Sequence, residues 1–228
     1  MKNIIIIPAR KGSKRIKNKN LIKVMKKPLI FWTINFAKKL KNANFDLIVT
    51  SDCKKIQKIC TNNKIPFLKR PKYISGDKVS IHKVIFNTLK DLDQDYKYIV
   101  LLQPTSPLRK LNLVSKAIKI LDKKKDFDSL VHLAHDLSFT GKLKKNFWKP
   151  DYDLNKRSQD IKDKFVPTGS LFVYRSKLYK KKIELPKKIY GMISNDQVWV
   201  DIDTKKDLSI LNFYLKQPKN RRILVSNY

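Results

Sequence analysis

Cysteine, glycine and acidic side chains are all scarce in this chain: two cysteines, five glycines and 19 Asp plus Glu among 228 residues. Two cysteines, Cys53 and Cys60, exclude a disulfide framework, and their spacing of seven excludes a CxxC metal site. A helix would carry both on one face as reduced structural thiols. His132 and His135 have a spacing that could serve a metal on a helix, but Leu130, Val131 and Leu133 predict a strand, where the two point to opposite sides. Long apolar runs are also missing. None approaches the roughly 18 apolar residues of a bilayer span, and the stretch Asn3 to Ala9 meets Arg10 too soon for a signal peptide. The expectation is a cytoplasmic protein that does not enter the membrane.

What is abundant is positive charge, with 52 Lys plus Arg and a formal net charge of +33. Such an excess raises the possibility of nucleic-acid or anionic-membrane binding, in which clustered cations neutralise phosphates. The distribution argues otherwise. Lysines recur in every segment (Lys38, Lys39, Lys54, Lys55, Lys123 to Lys125, Lys180 to Lys182, Lys205, Lys206) instead of forming one stripe interleaved with stacking aromatics. A solvated, lysine-coated surface follows, with no specific nucleic-acid partner. Hydrophobic residues make up 42%, enough for one sizeable core and too little for two, so residues 1–228 are expected to form a single domain.

Short β-type runs alternate with amphipathic helical runs. Asn3 to Pro8 is almost purely aliphatic, as in a central parallel strand buried on both faces. Pro28 opens a helix that places Leu29, Trp32, Thr33, Phe36 and Leu40 on one face, until Asn42 and Asn44 end it. A strand at Asp46 to Ser51, a helix from Cys53 to about Asn62, a short strand near Pro66 to Leu68 and a helix from about Val79 to Leu92 continue the alternation. Tyr98 to Leu102 is another buried run, and Leu113, Val114, Ala117, Ile118 and Leu121 form a helical stripe. These crossovers imply an α/β fold with a doubly wound, mostly parallel, Rossmann-like sheet. At about 138–167 the regularity gives way to an excursion in which Phe147, Trp148 and Tyr152 either face a partner or decorate a loop by chance. Ser170 to Tyr174 and Gln197 to Ile202 read as strands. Thr204 and Asp207 cap a helix carrying Leu208, Leu211 and Leu215, and a poorly ordered basic tail is expected at 217–228.

Three segments carry candidate chemistry. The first strand runs into Arg10, Lys11, Gly12, Ser13, Lys14 and Arg15, then Lys19 and Asn20, a loop at the carboxyl end of a central strand, where open α/β sheets bind ligands. Gly12 lets a ligand approach the backbone, and backbone N–H groups, Ser13 and the cations could enclose a triphosphate, although neither GxxxxGK[ST] nor a full GxGxxG is present. A second loop, Gln103 to Arg109, follows the strand at 98–102. Either Gln103 reads a ligand with its amide or the loop is a proline-rich turn with an exposed Arg109. In Asp201, Ile202, Asp203 a strand's period of two would turn both carboxylates to one side, as a hard cation such as Mg²⁺ needs; alternatively Asp203 caps the following helix. Asp52 is expected to cap the helix after Ser51.

The order ARKGSKRIKNKN, SD, RP, LLQPTSPLR, TGSLFVY and DIDT resembles the CMP-N-acylneuraminate synthetase (acylneuraminate cytidylyltransferase) family from about residue 3 to 215. That resemblance implies transfer of CMP from CTP to a nine-carbon 2-keto sugar acid, with release of pyrophosphate and assistance from Mg²⁺ or another divalent cation. It implies phosphate and ribose contacts for Arg10, Ser13, Lys14, Lys19 and Asn20, and a place near cytosine for Arg70. Gln103 and Ser106 would contact the sugar acid, Asp201 and Asp203 the metal. Arg157 would stand near the reacting groups, and Asp201 or Asp203 would also help deprotonate the attacking hydroxyl. The excursion becomes a protruding segment that reaches a second subunit's site in a homodimer.

Three positions depart from the family pattern. Thr168 stands where Asn is frequent, Val166 where some members have Arg, and Ile81 where a serine near the nucleotide is usual, although Ser80 adjoins it. The sugar therefore stays open among sialic, legionaminic and other nonulosonic acids, while 3-deoxy-octulosonate enzymes differ in the QPTSPLR loop. Two other classes stay in view: a glycosyltransferase using DxD, which would normally carry that motif in mid-chain, and a basic nucleic-acid-binding protein, for which no RNP or KH signature is found.

Overall fold

The computed structural model describes residues 1–40, 44–136, 138–157, 160, 164–193 and 199–225. The seven-stranded sheet is built from β1 (Asn3–Pro8), β4 (Phe45–Ser51), β5 (Phe67–Lys69), β6 (Tyr98–Leu101), β7 (Ser129–His135), β10 (Phe165–Arg175) and β11 (Ile189–Ile193). Two small hairpins stand apart from it, β2 (Lys23–Val24) with β3 (Lys27–Pro28) and β8 (Gly141–Lys144) with β9 (Phe147–Pro150). The strand order is β11-β7-β10-β6-β1-β4-β5, and β10 runs antiparallel to both of its neighbours while the other pairings are parallel. The doubly wound, mostly parallel α/β reading holds.

Alternation along β1 explains the two-sided core. Ile5 and Ile7 pack with Ile30, Ile34 and Ala37 of α1 (Leu29–Leu40), Ile56 and Cys60 of α2 (Lys54–Asn62), and Val114 and Ala117 of α4 (Asn112–Lys123). Ile4 and Ile6 face the other way, onto Ile85 of α3 (Ile81–Leu92). Burying each of these four isoleucines contributes roughly 1.5–3 kcal/mol, which makes β1 the structural axis. Cys53 and Cys60 are free and buried in the α1 side of the core. His132 and His135 do point apart, the first buried and the second exposed against Phe165.

Several expectations need correction. Helix α1 begins at Leu29, since Pro28 closes the β2–β3 hairpin, and Asn42 lies outside the described residues. Helix α3 begins at Ile81 because the Ser80 hydroxyl accepts from Lys83 N and sets the boundary there. Asp52 caps nothing; Cys53 is the N-cap residue of α2, and Asp52 accepts from the Lys11 amide at 2.6 Å. Of the strand expected at 197–202, residues 197 and 198 lie outside the described residues, and 199–203 form no sheet ladder. Ile202 N instead donates to Thr105 O at 2.9 Å. The strand that does join the edge is β11, whose short run Ile189–Ile193 sits among lysines and gave little periodic signal.

In the excursion the aromatics have structure. The Phe139 and Trp148 rings each lie tilted against Tyr152 beside the β8–β9 hairpin, and Leu143, Phe147 and Trp148 are exposed. Regular pairing resumes at Phe165, earlier than Ser170, because β10 is interrupted between Pro167 and Phe172 by a bulge that hides its alternation. Helix α5 (Lys205–Lys216) starts with the foreseen capping box, the Thr204 hydroxyl accepting from Asp207 N. Of the tail expected to be poorly ordered at 217–228, residues 226–228 lie outside the described residues and Pro218–Val225 form helix α6, which packs on α5 and buries Leu224 with Leu211 and Leu215. Proline as its first residue and the Ile223–Leu224 pair outweigh the surrounding charge. No helix of the described residues is long and apolar enough to cross a membrane.

Candidate active site

The carboxyl ends of β1, β5 and β6 open onto a cleft of about 410 Å³. A larger concavity, about 630 Å³, lies near Tyr96, just before β6, and Ser176, just after the antiparallel β10, so it marks the opposite end of the sheet. The chemistry-bearing residues gather at the carboxyl end, as expected of open α/β sheets.

The basic loop forms one wall. Ala9 N donates to Thr50 O, Lys11 N to Asp52, and Asn20 Nδ2 to Arg10 O at 3.0 Å, so Asn20 buttresses the loop with its amide nitrogen. Gly12 lines the cleft with nothing within 4 Å of where a Cβ would sit. The loop's cations are distributed over two carboxylates. Arg10 and Lys14 pair with Asp77, and the Arg10 hydrogen bond, with Lys14 beside it, holds that carboxyl below its ordinary pKa. Arg15 and Lys19 each donate to Asp203 at 2.8 Å, one on either oxygen. Asp203 therefore does not cap α5; Thr204 does.

Arg70 enters from the loop after β5, 5% exposed, with Nη2 donating to Thr50 O at 2.9 Å. Burial pulls its pKa down to about 10, with Asp52 opposing and Arg10 adding to the fall. Its Nε donates to no protein atom among the described residues. A buried donor without an acceptor costs about 1–3 kcal/mol, and Arg70 lines the cleft, so the donor suits an acceptor on a bound ligand.

Gln103 and Thr105 form the opposite wall with Asp201. The turn here does not expose Arg109, which is fully buried: Nε donates to Ser170 O at 2.6 Å, Nη1 to Thr33 Oγ1 at 3.0 Å and Nη2 to Gln103 O. Burial draws its pKa down to about 9 and the nearby Asp201 opposes the fall, so it is a cation at neutral pH. Beneath it, His132 Nδ1 lies 2.7 Å from Thr168 Oγ1 and 2.8 Å from Ser170 Oγ. Thr168 is thus a buried partner of His132 and does not line the cleft. Burial, with a smaller push from Arg109, lowers the His132 pKa to about 4 from an ordinary 6.5. The folded state then binds fewer protons than the unfolded chain between those values, so stability is expected to fall as pH drops from about 6.5 through 4. A His132→Gln variant should flatten the dependence of Tm on pH over that window, measured by thermal melting.

The candidate residues do not all converge. Arg10, Ser13, Lys19, Asn20, Arg70, Gln103, Asp201 and Asp203 line the cleft. Lys14 reaches only its rim, through Asp77. Ser80 is outside the lining, its hydroxyl committed to helix α3, while neighbouring Ile81 is part of the wall. Ser106 gives its proton to Asp201 Oδ1 at 2.9 Å. Arg157 is exposed in the excursion, paired with Asp160 three residues on, and is not part of this cleft. Sequence reasoning missed Asp77 and passed over Arg15; an acid in so basic a chain, two residues after Ser75, was the available signal. Asp201 and Asp203 offer only carboxylate oxygens, and no cluster of three potential ligands occurs among the described residues. Two carboxylates completed by phosphate oxygens fit Mg²⁺, which takes one or two side-chain ligands and keeps the rest for substrate or water.

A basic loop, a buried arginine with a spare donor and a carboxylate pair, gathered at the carboxyl end of a doubly wound α/β sheet, are what a nucleotidyltransferase needs. The fold matches that of a solved CMP:2-keto-3-deoxy-manno-octonic acid synthetase complexed with CTP, with a TM-score of 0.69, 15% identity and coverage of 95% of this chain and 99% of that one. The model of the family described as Cytidylyltransferase matches residues 4–221, and the chain belongs to that family. It is 30% identical over 217 residues to an N-acylneuraminate cytidylyltransferase of Streptococcus agalactiae, covering 91% of this chain and 52% of the relative. It is 29% identical over 232 residues to a pseudaminic acid cytidylyltransferase of Campylobacter jejuni, covering 95% and 97%. The chain thus spans about half the length of the first relative and nearly all of the second.

Proposed function

We propose that this chain transfers CMP from CTP to a sialic-acid-like nonulosonic acid, releasing pyrophosphate and supplying a CMP-sugar for surface glycan synthesis. The observation that carries the reading is the meeting, in one cleft of a cytidylyltransferase-family chain, of the cationic loop, Arg70, Gln103 and the Asp201–Asp203 pair. The anomeric hydroxyl forms a bond to the α-phosphorus as the bond to pyrophosphate breaks. Arg10, Ser13, Lys14 and Lys19 meet the phosphate oxygens, where their charge stabilises the leaving group. Asn20 holds the Arg10 backbone in place for that contact. Arg70 stands on the cytosine side, and Gln103 offers its amide to the sugar acid. Asp201 and Asp203 hold Mg²⁺ or another divalent cation, which supplies charge neutralisation at the phosphates. Either carboxylate lies in the same cleft to take the hydroxyl proton.

The reading extends to assembly and location. The exposed Leu143, Phe147 and Trp148 support a homodimer in which the hairpin segment covers a second subunit, carrying Arg157 towards that subunit's cleft. A cytoplasmic location fits the supply of CTP. The even spread of cations supports the absence of nucleic-acid and membrane partners. Pyrophosphate release from CTP with Mg²⁺ is the test, run with N-acetylneuraminic, legionaminic, pseudaminic and 3-deoxy-octulosonic acids and with other nucleotides as controls. Release is expected with CTP and a nonulosonic acid; none with any sugar, from folded protein, would overturn the proposal.

A further inference from the structure

The loop after β6 and the segment 201–203 come from distant parts of the chain, yet two bonds join them. Ser106 Oγ donates to Asp201 Oδ1 at 2.9 Å, and Ile202 N donates to Thr105 O at 2.9 Å. Ser106 is only 2% exposed, and a Cβ on Gly169 would fall 2.4 Å from its Oγ. The hydroxyl is therefore enclosed between the Gly169 backbone and the Asp201 carboxylate. Arg109 fixes both walls of this enclosure by donating to Gln103 O and Ser170 O. A hydroxyl has one proton to give, and here it is given to a carboxylate that lines the cleft.

We propose that Ser106 is a positioning residue that orients Asp201 towards a divalent cation and makes no contact with the sugar acid. The inference rests on the metal reading of Asp201 given above. Hydrogen bonds to a ligating carboxylate fix its direction, and their removal weakens metal affinity or activity by about 10–100-fold. Loss of a sugar contact would raise the sugar KM and leave the metal requirement unchanged.

Ser106→Ala and Asp201→Asn separate these cases. Each full-length variant is first checked for folding by thermal melting. Mn²⁺ binding in the presence of CTP is then read by electron paramagnetic resonance, and turnover is measured against Mg²⁺ and against sugar. Ser106→Ala is expected to weaken Mn²⁺ binding and raise the Mg²⁺ needed for half-maximal turnover by about tenfold or more. Its sugar KM should stay within about twofold of wild type. Ser106→Cys, close in volume and a weak donor, should give the same pattern, and it serves if the alanine variant does not fold. A raised sugar KM with unchanged Mn²⁺ binding would overturn the proposal, as would a variant indistinguishable from wild type while Asp201→Asn loses the metal. Unchanged Mn²⁺ binding in Asp201→Asn would overturn the metal reading itself.

Discussion

Replacing Asp203 with Asn is expected to lower kcat by about 10²–10³-fold while Tm shifts by only a few degrees. The side chain is half-exposed, so the fold loses little with its charge. The cleft loses more. An amide is a poorer ligand than a carboxylate for a hard cation, and the same substitution releases Arg15 and Lys19 from the two oxygens that hold them at 2.8 Å. Steady-state kinetics over a range of Mg²⁺ concentrations, with calorimetry on the same preparation, checks both halves. Near-normal turnover would remove Asp203 from the machinery.

Gly169→Ala should be damaging in a different way, because it strains the backbone and the carboxylate together. Gly169 has φ +71°, in the left-handed region, which costs an L-residue about 1–2 kcal/mol and corresponds to roughly 2–8 °C in Tm for a chain of this size. The added Cβ would also lie 2.9 Å from Asp201 Cγ. Ser106 Oγ, which holds Asp201 Oδ1, would be closer still at 2.4 Å, so the clash falls on the bonded pair. Activity is therefore expected to fall by about tenfold or more, beyond what the lost stability explains when assayed well below Tm. Full activity in a variant melting like wild type would show that the bulge is not pressed against the carboxylate.

The sequence made the sheet and much of the cleft legible for a physical reason. Strands such as 3–8 and 98–101 are buried on both faces, so their aliphatic runs stand out, and the residues that follow them sit at the ligand-binding end whatever the loop composition. What escaped detection depended on tertiary contacts. Arg109 looks like a surface arginine until Ser170 and Thr33, from two distant segments, join Gln103 of its own loop to satisfy it. Asp52 looks like a helix cap because the Lys11 amide, 41 positions away in sequence, cannot be foreseen from local pattern. Ser106 carried the expectation of sugar contact by its place in QPTSPLR, whereas its burial commits it to Asp201. Both carboxylates of the DID segment line one cleft, as a period of two predicts, but residues 199–203 form no sheet ladder that would turn them there.

The reversed direction of β10 has an architectural consequence. In a wholly parallel sheet each strand leaves the cleft end and must return across the sheet before the next begins, so crossover length is tied to the packing of a helix. Strands β7 and β10 meet antiparallel, His135 beside Phe165, and the chain between them both departs from and returns to the cleft end. A connection whose two ends lie at one end of a sheet needs no crossover. Doubling its length would cost only about 0.6 kcal/mol in closure entropy and disturb no register elsewhere. The β8–β9 hairpin is thus a module that can be lengthened, shortened or recomposed without refolding the sheet that carries the cleft.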